Sequence, residues 1–296
     1  MSVFVPIPYC LDDDSFVVEA KVWDCTVVGL GVIGGSYVQA LHGLGHDVYG
    51  VDKDISTLQQ AKADGYIIEG YQDGHAIISQ SDLTIICLYP SLVLNFLKEH
   101  TFKKGSIVTD VVGIKSYFLE QALQIIASDV EYISGHPMAG REKKGYAYAS
   151  RDVFKDANYI IIEHPTNHPQ KIDWLSQFVS QLGFKSVKIM SPQAHDEIIS
   201  YTSQLPHILA VALMNSDTQK YETGKYIGDS FRDLTRIANI NADLWSELFF
   251  NNKKYLMQSL EYFEQQLDAI KKAVAENDKQ KLEEFFKESS KRRENL

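Results

Sequence analysis

The chain of 296 residues is long enough for two domains, each with its own core, and its 45% apolar content is ordinary for a globular protein. A formal net charge of -10 argues against a nucleic-acid surface, which needs clustered Lys and Arg to displace counterions from phosphate. No apolar run approaches the roughly eighteen residues of a membrane helix, and no basic segment with a cleavage site opens the chain, so a soluble cytoplasmic protein is expected.

Residues 1–21, "MSVFVPIPYCLDDDSFVVEAK", mix apolar and acidic residues irregularly around two prolines and read as an N-terminal extension. From 22 to 190, short β-rich runs alternate with amphipathic helical stretches. "KVWDCTVVGLG", "HDVYGVD", "LTIICLYP", "GSIVTDVV" and "EYISG" read as strands of one mostly parallel sheet, and "NYIIIEH" and "FKSVKIM" are expected to extend it. This is a doubly wound, Rossmann-type α/β domain. From 191 to 296 the apolar residues recur at helical spacing, which predicts an all-helical second domain. Its helices carry more apolar surface than a lone bundle of this size buries, which predicts a homodimer through that domain. Cys10, Cys25 and Cys87 show no paired or CxxC spacing and read as thiols in a reducing compartment, and no metal site is expected.

"GLGVIG" places Gly29, Gly31 and Gly34 in G-x-G-x-x-G spacing with Leu30, Val32 and Ile33 between them, directly after a strand and opening a helix. That context is what pyrophosphate binding requires: a tight turn, a close backbone approach and a helix N-terminus. Asp52 ends the second strand about twenty residues on, where a carboxylate accepts from a ribose diol and repels a 2′-phosphate, so NAD is the expected cofactor.

Ligands of such a sheet bind outside the carboxyl ends of its strands. Three segments are delivered there: "LYPS" with Ser91, which is assigned to the cofactor, "DVVGIKS", and "SGHPMAG" with His136. A histidine at that rim can serve as general base near neutral pH, since its ordinary pKa is about 6.5. A turn histidine bonded to backbone is the plainer reading of the same residue.

"GHPMAG", then Glu142 and Gly145, "SQLPHILA" and "SFRDLTRIA" occur in that order, and with them the chain resembles the prephenate dehydrogenase family from Cys25 to about Met257. The resemblance implies NAD-dependent oxidative decarboxylation of prephenate, or of its amino counterpart arogenate, on the route to tyrosine. It implies His136 as the base that removes the ring hydroxyl proton, His207 and Glu142 at the substrate, and Arg236 on a substrate carboxylate. An Arg fork suits that carboxylate geometrically, and Arg232 is a second choice for it.

Two positions depart from the family pattern. The D-x-G-S-x-K segment reads "DVVGIK", with Gly113 where a serine usually orients the catalytic histidine, so either Ser91, Ser116 or water takes over that bond or His136 is less well held. Arg141 stands where a small Ser or Thr usually follows "GHPMAG". Two other readings stay in view. A β-hydroxyacid dehydrogenase would need a helix lysine one turn before "FFNNKKYL", which is missing. A non-catalytic NAD-binding sensor would give no chemical reason to keep His136, His207 and Arg236 together.

Overall fold

The computed structural model describes residues 22–140 and 143–295. The extension at 1–21, Arg141 and Glu142 lie outside the described residues. The chain divides into two compact units. The first holds the described residues up to Asp196 together with Asn239–Asn251, and the second comprises Glu197–Ala238 and Asn252–Leu296. The sequence reading puts a single junction at 190; in the structure the first unit runs on to Asp196 and takes back a later helix.

The first unit is built on six parallel strands: β1 (Asp24–Val28), β2 (Asp47–Val51), β3 (Glu69–Tyr71), β4 (Leu83–Ile86), β5 (Ile107–Asp110) and β6 (Glu131–Tyr132), in the order β3-β2-β1-β4-β5-β6. The strand order reverses beside β1, which makes the β1/β4 edge the topological switch point. Runs such as "LTII" and "IVTD" are mainly apolar because both faces of the sheet are covered, and every residue of these two strands is buried, Asp110 included. Helices α1 (Val32–Gly43), α2 (Ile55–Ala63), α3 (His75–Ile78), α4 (Pro90–Glu99) and α5 (Leu119–Ile125) make the crossovers.

One expectation is corrected here. "EYISG" is not one strand end: after β6 the chain breaks at Ile133 and enters β7 (Ser134–Pro137) of a separate three-stranded sheet. Its partners are β8 (Asn158–Ile162), antiparallel to β7, and β9 (Ser186–Met190), parallel to β8, so "NYIIIEH" and "FKSVKIM" do not extend the first sheet. Helix α6 (Pro169–Gln181) joins β8 to β9, and its Trp174 stacks on Trp23 at 4.8 Å between ring centroids. His136 therefore sits in a strand, paired with Ile160, rather than in a turn.

Helix α7 (Pro192–Ile199) carries the chain out of the first unit, and a π-helical turn at Ser200–Gln204 leads into α8 (Leu205–Asn215). The second unit also holds α9 (Asp229–Thr235), α11 (Lys253–Ala275) and α12 (Lys279–Glu294), while α10 (Ala242–Asn251) belongs to the first unit. The π turn is pinned to α11, since the Ser200 and Ser259 hydroxyls are 2.7 Å apart and Asn252 donates to the Gln204 side-chain oxygen at 2.8 Å. Leu213, Met214, Tyr262, Leu267, Val274 and Phe286 of this unit stay exposed in the single chain.

Candidate active site

The glycine loop between β1 and α1 shows a different physical reason at each glycine. Gly29 has φ +84°, a conformation that side chains rarely adopt, and a Cβ there would meet the Cys87 carbonyl oxygen at 2.6 Å. A Cβ on Gly34 would collide with the Gly29 carbonyl, so helix and turn can close this tightly only without a side chain. Gly31 is the opposite case. Nothing lies within 4 Å of its added Cβ, and this open side at the α1 N-terminus is where a dinucleotide pyrophosphate would approach the backbone.

Asp52 reinforces the loop. Its Oδ2 accepts from the Leu30 N–H at 2.7 Å and its Oδ1 from the Asp54 N–H at 2.9 Å, which fixes the carboxylate between the glycine turn and the end of β2. The carboxylate keeps lone pairs for a ribose hydroxyl. Leu30 and Val32 are buried and Ile33 packs against the core, so backbone rather than side chains would meet a phosphate here, with the Leu30 N–H already bonded to Asp52.

The histidine site is assembled from distant segments. Nδ1 of His136 lies 2.9 Å from Nε2 of His195 on α7, and Nδ1 of His195 lies 2.8 Å from Asp196 Oδ1. Asp196 also accepts the backbone N–H of Lys115 on Oδ1 at 2.9 Å and that of Ser116 on Oδ2 at 2.8 Å. His195 is fully buried and Asp196 nearly so. Burial lowers the pKa of His136 well below the ordinary histidine value, and the neighbouring His195 and the Lys115 charge act in the same direction. Burial lowers His195 too, against the pull of Asp196. Burial raises the Asp196 carboxyl, but the bonds from His195 and Ser116 outweigh it and hold the group below its ordinary value.

Behind the strand lies a buried ion pair. Lys115 Nζ donates to Asp110 Oδ1 at 2.8 Å, Ser134 Oγ at 2.9 Å and the Gly135 carbonyl at 2.7 Å, using all three ammonium protons. Asp110 Oδ2 accepts from Tyr132 and Ser134. This network ties β5 and β6 of the large sheet to β7 of the small one, one residue from His136. Removing one partner of such a pair costs about 3–5 kcal/mol, because the other charge stays buried.

Gly113, in the loop leaving the carboxyl end of β5, faces this histidine. A Cβ there would lie 3.5 Å from His136 Nε2 and 3.5 Å from Leu248 of α10. Neither serine expected to orient His136 does so. The Ser91 N–H and hydroxyl donate to Glu247 at 3.1 and 2.9 Å, and Ser116 bonds Asp196 through its N–H. The orienting contact comes from His195, a residue that sequence reasoning overlooked because "AHDE" reads as ordinary helix.

Of the residues assigned to substrate, His207, Arg232 and Arg236 belong to the second unit. His207 is half-buried on α8 and its Nδ1 donates to the Ser203 carbonyl at 2.8 Å. Arg236 is exposed where α9 gives way to a short 3₁₀ turn. Arg232 is committed to Asp229 at 2.8 Å on the exposed face of α9. Among the described residues no group of three or more His, Cys, Asp or Glu is placed to hold a metal ion.

The chain was compared with known proteins. Residues 37–188 match the family model for the prephenate dehydrogenase nucleotide-binding domain, and residues 191–288 match that for the prephenate dehydrogenase dimerization domain. The chain belongs to the prephenate dehydrogenase family. The prephenate dehydrogenase of Lactococcus lactis is 30% identical over 280 residues, covering 90% of this chain and 76% of the relative. The solved prephenate dehydrogenase of A. aeolicus, in complex with hydroxyphenyl propionate and NAD+, superposes with a TM-score of 0.84 at 26% identity, covering 93% of this chain and 98% of that one. Synechocystis arogenate dehydrogenase superposes with a TM-score of 0.78 at 25% identity, over 92% and 99% of the two chains. As a member of this dehydrogenase family, the protein has its histidine network in the nucleotide-binding half, which also includes His195 and Asp196 by packing although the second family model begins at 191.

Proposed function

We propose that this chain is an NAD-dependent prephenate dehydrogenase, converting prephenate to 4-hydroxyphenylpyruvate and CO₂ in tyrosine biosynthesis. The observation that carries this reading is His136, held by a buried partner and lying against Gly113 of the loop after β5, in a chain of this family. Bound at the glycine loop, NAD would accept the hydride from ring carbon 4. His136 would take the proton of the hydroxyl on that carbon, a contribution typically worth about 10²–10⁴ in rate. The ring C–CO₂⁻ bond then breaks, its electron pair aromatises the ring, and the proton returns to the phenolic oxygen. No proton is consumed overall, which suits a buried base that stores it briefly. The lowered pKa of His136 supports this role, since the ring is unprotonated at neutral pH.

On the cofactor side, Gly31, Val32, Ile33 and Gly34 would hold the phosphates by backbone, Gly29 and Leu30 would shape the turn with their N–H groups on the Val51 carbonyl and Asp52, and Asp52 would take the adenine ribose. Ser91 is retained near the cofactor at the start of α4, with its hydroxyl directed by Glu247. In the second unit we assign a substrate carboxylate to Arg236 and a polar contact to His207; Arg232, paired with Asp229, is the weaker candidate. Arg236→Gln should raise KM at least tenfold with little change in kcat, and an unchanged KM would remove it from the site.

The exposed apolar side chains of the helical unit, in a segment matching a dimerization domain, support a homodimer. No described helix is long and apolar enough to cross a membrane, which is compatible with the cytoplasmic setting proposed for this biosynthetic step. The deciding experiment supplies the purified chain with saturating NAD and either prephenate or arogenate, and follows NADH. Faster turnover of prephenate is expected; faster turnover of arogenate would reassign the substrate, and no NADH with either would leave an NAD-binding sensor.

A further inference from the structure

Gly113 leaves His136 without the expected hydroxyl, and the structure answers what holds the ring instead. Both oxygens of Asp196 accept backbone N–H groups, from Lys115 and Ser116, and the ionised carboxylate has no proton of its own to donate. The His195 nitrogen 2.8 Å from Oδ1 must carry a proton to bond it. His195 is fully buried and pushed toward its neutral form, so its other nitrogen, Nε2, has a lone pair and accepts. The atom 2.9 Å from that lone pair is Nδ1 of His136, which must then be the donor. A neutral imidazole protonated on Nδ1 has its lone pair on Nε2, the ring nitrogen on the Gly113 side.

We propose that His195 and Asp196 are positioning residues that lock His136 in its Nδ1–H tautomer and thereby make Nε2 the base nitrogen, replacing the hydroxyl that Gly113 lacks. Lys115 couples the two ends of the device, with its backbone N–H on Asp196 and its ammonium on the carbonyl next to His136. When the substrate O–H bond breaks and an Nε2–H bond forms, the imidazolium keeps its Nδ1–H on His195, and the nearby Asp196 carboxylate offsets the new charge. The assignment of His136 as a base rests on the function proposed above; the tautomer itself does not.

The test uses the full chain labelled with ¹⁵N-histidine, read above neutral pH by two-bond proton–nitrogen correlations of the rings, with His136→Gln identifying the His136 signals. A protonated Nδ1 and an unprotonated Nε2 are expected at His136. Asp196→Asn leaves one oxygen for three donors, since Lys115 N–H and His195 share Oδ1 and Ser116 N–H takes Oδ2, and it removes the negative charge that holds the proton on His195 Nδ1. The Nδ1–H form of His136 should then be only partly populated. Turnover should fall about 10²–10⁴-fold, with KM changed by less than about twofold. Should Asp196→Asn fold poorly, a second pair decides. His195→Gln keeps an acceptor oxygen near the Nε2 position and should retain at least about tenfold more turnover than His195→Leu. His136 protonated on Nε2 in the unaltered chain, or equal turnover in the two His195 variants, would overturn the proposal. The tautomer is read without substrate, so a chain that turns over neither prephenate nor arogenate still tests the lock.

Discussion

The glycine loop and the histidine site lie in the same unit but are built in opposite ways. The loop is contiguous: a turn, a close approach and a helix start within Gly29–Gly34, with Asp52 added at the end of the neighbouring strand. The histidine site draws Gly113, Lys115 and Ser116 from the loop after β5, His136 from β7, His195 and Asp196 from α7 and Leu248 from α10, with His136 and His195 59 positions apart and Lys115 and Asp196 81 apart. Local backbone chemistry builds the first, and long-range packing of buried polar groups builds the second. The two should therefore fail differently when perturbed.

The largest contrast lies within the loop itself. Gly34→Ala forces a Cβ into the Gly29 carbonyl and should destabilise the protein by about 2–4 kcal/mol with or without NAD. Gly31→Ala meets open space and should leave thermal stability within about 0.5 kcal/mol while weakening NAD binding at least tenfold. Thermal melts of both variants, with and without NAD, check this. Equal melting temperatures for the two would break the account of the loop.

The histidine site predicts acid sensitivity instead. Burial holds His46, His136 and His195 below the ordinary value of 6.5. As pH falls below that value the unfolded chain binds protons that the folded chain refuses. Stability from these groups is therefore full above about pH 6.5 and declines below it, by at most about 1.4 kcal/mol per pH unit for each histidine. Urea unfolding at stepped pH should show this slope begin near 6.5. A flat profile down to about pH 5 would mean that the three rings are not buried as neutral groups.

The smallest effect is expected at Gly113. Its φ is not in the left-handed region, and a Cβ would make ordinary contacts at 3.5 Å with His136 and Leu248. Gly113→Ser should fold normally and change kcat by less than about tenfold, because His195 already holds Nδ1. A larger gain would show that the His195–Asp196 pair orients the ring poorly.

How much of this the sequence discloses follows the same division. The strand, glycine turn, helix and acid of the β1–β2 region lie close enough in sequence to be read as one motif, and the parallel sheet follows from its alternating elements. The second sheet is hidden because β6 and β7 run together as "EYISGHP", and only a break at Ile133 sends the chain to a new partner strand. The α10 segment returns to the first unit through Leu248, Asn241 on Tyr89 and Glu247 on Ser91, contacts that no periodicity announces. His195 and Asp196 could have been flagged as adjacent polar residues near the start of an amphipathic helix. Their use depends on Lys115, Ser116 and His136 meeting them in space.

The central claim is that His136 performs chemistry while the glycine loop performs binding. It is tested most directly by measuring, on the same preparation of His136→Asn, NADH formation from prephenate and the affinity for NAD by fluorescence. The account predicts turnover lowered by at least about 10³-fold with NAD affinity within about twofold of the unaltered chain. Comparable turnover in the variant would contradict it.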